Sequence, residues 1–171
     1  MRRELFQPTI ESEARLLLLV NAFSSGSKFL EGRTKLAKLD FLLRYPHFFK
    51  RAISIKAPNA PINHIDAPET VESRMVRYRY GPWDPVYFAV IGRLVGKGLI
   101  HVVPARNGTG YKTTQLGNVV AKRLAATSVW ADVALRLRLL RKYFDLSGNS
   151  LKTFIYENFP EVTSAEWGEK L

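Results

Sequence analysis

From Thr9 the chain sets Glu11 and Glu13 ahead of an unbroken apolar run, Leu16–Val20. Thr9 is suited to cap a helix, and the two carboxylates favour its first turn. Five consecutive apolar residues make such a helix apolar nearly all round, which places it at the centre of a core. Ser24-Ser25-Gly26-Ser27 ends it. A second helix is expected from Arg33 to Tyr45, with Leu36, Leu39 and Leu43 as its inward stripe. Pro46 should stop or kink it, leaving His47 to Ile55 to add a turn or two.

Residues 56–73, with Pro58, Pro61 and Pro68, lack periodicity and read as a loop insertion. Arg74 to Tyr80 alternates as a short strand does, with Arg77 and Arg79 set against Tyr78 and Tyr80. Asp84 followed by Pro85 looks like an N-cap and first helical residue, opening a helix that runs to about Gly96. Leu99 to Val103 reads as a strand, Arg106-Asn107-Gly108-Thr109-Gly110 as a hairpin tip, and Tyr111 to Thr114 as the return strand. The Asn-Gly pair supplies turn chemistry. A helix over Asn118 to Ala126 follows. In Val129 to Phe144, one stripe carries Trp130, Val133, Leu137 and Leu140, while Leu135 and Leu139 lie opposite; a helix apolar on two sides is usually covered on both. Leu151 to Phe159 adds a short amphipathic element.

This order predicts a mainly α protein with a small β-hairpin wing. Residues 1–127, with the 56–73 loop insertion, are expected to form a winged helix-turn-helix domain, and 128–171 a C-terminal helical extension packed on it or on a partner.

Charge changes what such a fold is expected to meet. Among 171 residues there are 26 Lys and Arg against 15 Asp and Glu, a net charge of +11. That excess favours an anionic partner, a nucleic acid such as double-stranded DNA through phosphate neutralisation, with an acidic protein surface as the alternative. The candidate phosphate contacts are Arg33, Lys35 and Lys38 on the second helix, Arg106 and Lys112 on the wing, and Lys122 and Arg123 on the helix after it. The helix in the recognition position argues against base reading. Within Pro85 to Gly96 only Arg93 is charged, whereas base edges are read by Arg, Asn, Gln, Ser or Lys. A protein partner suits it better, with Trp83, Tyr87 and Phe88 as anchors there and Leu135 and Leu139 on the tail.

Catalytic signatures do not emerge. Gly92-Arg93-Leu94-Val95-Gly96-Lys97-Gly98 has three residues between its first two glycines where a Walker A motif needs four, and Gly98 stands where a hydroxyl would hold magnesium. Gly96 and Gly98 read better as a helix end before a strand. His47, His64 and His101 are scattered, there is no cysteine, and no metal-ligand spacing occurs. No enzyme activity, cofactor or metal is expected. The longest apolar run is too short to span a bilayer, and Met1-Arg2-Arg3-Glu4-Leu5 does not open a signal peptide. A cytoplasmic location without membrane attachment is therefore expected.

Two strings, Glu31-Gly-Arg-Thr-Lys-Leu-Ala-Lys-Leu-Asp-Phe-Leu-Leu-Arg-Tyr-Pro46 and Tyr80-Gly-Pro-Trp-Asp-Pro-Val-Tyr-Phe-Ala-Val-Ile-Gly-Arg-Leu-Val-Gly-Lys-Gly-Leu-Ile100, resemble the small middle component of bacterial ABC three-component systems, the Lamassu type of antiphage defence. The resemblance covers roughly residues 16 to 124. It implies a non-enzymatic subunit bound to an SMC-like ATPase, with an effector, often a nuclease, as third subunit. The alternative is a winged-helix transcription regulator or antitoxin, which would require base recognition.

Overall fold

The computed structural model describes residues 8–63, 65 and 85–164. Helix α1 (Ile10–Ala22) begins at a reciprocal cap: the Ser12 N–H donates to Thr9 Oγ1 at 3.2 Å, and the Thr9 N–H donates to Ser12 Oγ at 2.9 Å. All five residues of the Leu16–Val20 run are buried, and α1 touches α2, α4, α5, α6 and β3. It is the central helix that its pattern predicts.

A strand with no counterpart in the expected order follows, β1 (Leu30–Glu31). Helix α2 (Arg33–Arg44) leaves it through Gly32, whose φ of 83° is open to glycine at little steric cost. Pro46 does not merely stop α2. It opens α3 (Pro46–Lys56), eleven residues long where a turn or two was expected. Extended Tyr45 (φ −113°, ψ 92°) is the joint; the geometry that a proline imposes on its predecessor ends one helix, and its own fixed φ starts the next.

Helix α4 (Val86–Gly96) has Pro85 as its N-cap rather than as its first helical residue. The Asp84 cap and the strand expected over 74–80 lie outside the described residues. Gly98, at φ 68°, closes α4 by letting the Leu99 N–H reach the Leu94 carbonyl at 3.0 Å. Strands β2 (Ile100–Ala105) and β3 (Gly108–Thr113) pair from Ile100↔Thr113 to Ala105↔Gly108, so the return strand is longer than the pattern suggested. Arg106 and Asn107 form the turn with no positive φ; the left-handed position falls on Gly108, at φ 116°. The Asn-Gly pair thus acts through its glycine. Strand β1 joins β3 antiparallel, with Leu30 opposite Tyr111, giving a three-stranded sheet of order β1-β3-β2. Gly110 permits this pairing, since a Cβ there would stand 2.3 Å from the Phe29 ring.

Helix α5 (Gln115–Ala125) starts three residues before the pattern predicts, because Thr114 Oγ1 accepts the Gly117 N–H at 2.9 Å. A 3-10 turn (Ser128–Trp130) leads into α6 (Ala131–Tyr143), α7 (Gly148–Asn158) and α8 (Pro160–Ser164). These helices share the core of the preceding ones. Helix α7 lies along α2; Phe41 and Phe48 meet at 4.9 Å, and Phe159 stacks edge-on to Phe48 at 5.4 Å. Mainly helical architecture with one small antiparallel sheet is the result. No helix among the described residues is long and apolar enough to cross a membrane.

Candidate nucleic-acid and partner interface

Helix α4 turns Tyr87, Val90, Ile91 and Leu94 inward and leaves Phe88, Ala89, Gly92 and Val95 outward. Phe88 is 50 % exposed and Val95 40 %. The cations of this helix and its C-cap are committed to α1. Arg93 Nη1 donates to the Pro8 carbonyl and to Glu13 Oε1, and Lys97 Nζ donates to Glu13 Oε2. Above the Phe88 ring, 5.0 Å from its centroid, sits the Arg33 guanidinium. The outward face of α4 is therefore apolar, edged by one arginine from α2.

Tyr87 is not a surface anchor. It is buried, and its hydroxyl donates to Asp40 Oδ2 at 2.6 Å. Asp40, fully buried, also receives Arg15 Nε at 2.7 Å, so one carboxylate ties α1, α2 and α4 together. Burial, reinforced by Asp40, lifts the Tyr87 phenol well above its ordinary range. Burial opposes the Arg15 charge, and Asp40 outweighs it and holds the guanidinium protonated. Leu135 and Leu139 are half-buried against the chain's own core, and Arg136 donates to the Leu43 carbonyl at 2.5 Å, tying α6 to α2. Trp83 lies outside the described residues.

The candidate phosphate contacts separate into distinct environments. Lys38 is 4 % exposed, its ammonium 5.4 Å from the Tyr156 ring centroid. Burial, with Lys152 nearby, lowers its pKa to about 8. Packing of α7 on α2 thus takes Lys38 out of reach of a phosphate backbone. Lys35 donates to Asp145 Oδ1 at 2.7 Å; burial would raise that carboxyl, but the lysine holds it below its usual value. Lys112 Nζ donates to the Gly26 carbonyl at 2.5 Å. Arg33, Arg106, Lys122 and Arg123 remain exposed.

Arg33, Lys35 and Arg106 do converge, on a groove of about 880 Å³ between the β2–β3 turn, the start of α2 and the α6–α7 connection. Glu31 and Asp145 line the same groove, which reduces its net positive charge. Lys112 and Lys122 line a second groove, of about 570 Å³, together with Asn21, Ser24 and Asn118. Among the described residues no group of three or more His, Asp or Glu is placed to hold a metal. His101 is exposed on β2, and His47 lies 4.0 Å from the Phe48 ring.

The Arg15–Asp40–Tyr87 cluster and β1 escaped the sequence reading. Asp40 did carry a signal, as the lone acid between Leu39 and Phe41. Comparison with known protein families, with curated proteins and with solved structures finds no match.

Proposed function

We propose that this chain is a winged-helix accessory subunit that docks on a protein partner through the outward face of α4. The single observation that carries this reading is the state of that face. Phe88 is 50 % and Val95 40 % exposed while Arg93 and Lys97 are held by Glu13, so α4 has apolar surface still to bury and no spare polar group for a base edge. The order of elements supports the winged helix: α1, β1, α2, α3, α4, the β2–β3 hairpin and α5, with sheet order β1-β3-β2.

The resemblance of residues 16 to 124 to the middle component of Lamassu-type systems supplies the partner class, an SMC-like ATPase, with the subunit bridging it to an effector. DNA contact is secondary and sequence-independent, through Arg33 and Arg106 in one groove. The experiment is co-expression with an ATPase encoded beside this chain. Stoichiometric co-purification, lost in Phe88→Glu/Val95→Glu while the melting temperature holds, is the expected result. A free subunit, or one that selects a single DNA motif from random sequence, overturns the reading in favour of a regulator or antitoxin.

A further inference from the structure

Helices α1, α5 and α6 meet around a pocket that the docking face of α4 does not involve. Small residues make it: Ala22 on α1, Ala121 and Ala125 on α5, and Ala134 on α6 leave room that larger side chains would fill, and Leu18 and Leu137 complete the apolar wall. The space is about 360 Å³. At ~30 Å³ per water-sized group, that is room for about a dozen heavy atoms.

The polar groups of the lining are Asn21, Lys122, Arg138 and Arg141, and no acid is among them. Arg141 donates to the Ala22 carbonyl at 2.7 Å and lies 3.6 Å from Asp145. Lys122 and Arg138 are exposed. An apolar cleft with cations at its mouth matches an amphiphile whose head is anionic: the chain loses water against alanine and leucine, and the head stays wet beside lysine and arginine.

We propose that this pocket binds a small amphiphilic carboxylate, of the size of a medium-chain acyl anion. The site is independent of α4, and a ligand here would lie where α6 closes on α1 and α5, with access to the spacing of those helices.

The test uses the full chain, nitrogen-15 labelled, titrated separately with decanoate, decanol and decyltrimethylammonium. Saturable amide shifts confined to Ala22, Ala121, Ala125, Ala134 and their neighbours are expected with decanoate. Its affinity should exceed that of decanol by about tenfold, the effect of pairing one carboxylate with two partly solvated cations. Lys122→Glu/Arg138→Glu should reduce decanoate to the level of decanol or below. Ala125→Phe, which fills the cleft, should abolish binding; should that variant not fold, the exposed charge pair still decides. Equal binding of decanoate and decanol, stronger binding of the cationic amphiphile, shifts spread over the whole surface, or no shifts at all overturn the proposal.

Discussion

The Tyr87 hydroxyl donates to the Asp40 carboxylate at 2.6 Å inside the core, on the oxygen beside the one that accepts Arg15 Nε at 2.7 Å. A charge pair so placed is expensive to break from one side, because the partner stays buried without its counterion. Asp40→Ala is expected to destabilise the fold by about 3–5 kcal/mol. Tyr87→Phe, which removes one hydrogen bond to a charged group, should lose about 1.5–3 kcal/mol. Urea unfolding of both variants checks the order; equal losses would mean that Tyr87 and not Arg15 holds the carboxylate.

Lys38 gives the stability an unusual dependence on pH. Its folded pKa, about 8, lies below the ordinary 10.5, so at neutral pH the fold holds a charge that the unfolded chain would solvate. The unfolded state binds more protons between those two values, and stability therefore rises with pH across that window. The gain is up to about 3 kcal/mol, the full value of the shift. Tyr87 acts with the opposite sign: its raised pKa keeps the proton in the fold after the unfolded phenol has lost it, so its contribution is present below about pH 10 and is lost as pH rises through the folded value. Melting temperatures from pH 7 to 11 should climb and then fall. Lys38→Met should be more stable than the parent at pH 7 and should lack the climb.

Two glycines are expected to respond in opposite directions to the same methyl group. A Cβ on Gly117 would stand 1.8 Å from the Leu99 carbonyl oxygen, a backbone atom that cannot turn aside. Gly117→Ala should therefore disrupt the junction of β2 with α5 and lower stability by several kcal/mol, roughly 3 or more. A Cβ on Gly92 meets nothing within 4 Å. Gly92→Ala should stabilise α4 by about 1 kcal/mol through helix propensity. Thermal melts of the pair are sufficient to read both signs.

Among the basic residues, position separates expected DNA contacts from structural ones. Arg106→Glu and Arg33→Glu should each weaken binding to any duplex and lower the slope of log affinity against log salt by about 1. Lys38→Met and Lys35→Met should leave that slope unchanged, since the first is buried on Tyr156 and the second is paired with Asp145. Fluorescence anisotropy at several salt concentrations distinguishes the two classes. A slope that falls for Lys38→Met would place α7 off α2 when DNA binds.

Helices α1, α2, α4, α6 and α7 and the hairpin are legible in the sequence because each depends on local signals, among them the run at Leu16–Val20, the Thr9 cap and the Asn107-Gly108 turn. Strand β1 is not, since two residues carry no period and pair only because Gly110 admits Phe29. At Pro46 the local pattern marks the end of α2, whereas the length of α3 rests on burying Phe48, Phe49, Ala52 and Ile53 in the core. The candidate site suffered from the same division. Arg106 and Arg33 behave as exposed cations, but the fates of Lys38, Lys35 and Tyr87 depend on partners 118, 110 and 47 positions away, beyond any local pattern.

Helix α7 lying along α2 also has a consequence for synthesis. The inner side of α2 is made before the surface that covers it, Leu151 to Phe159, which follows only after α3 to α6. Until then Phe41, Phe48 and the methylenes of Lys38 lack the cover that Phe159 and Tyr156 give them. The nascent protein thus carries an open apolar seam until Leu151 to Phe159 arrive, and in that interval it is open to aggregation and to chaperones.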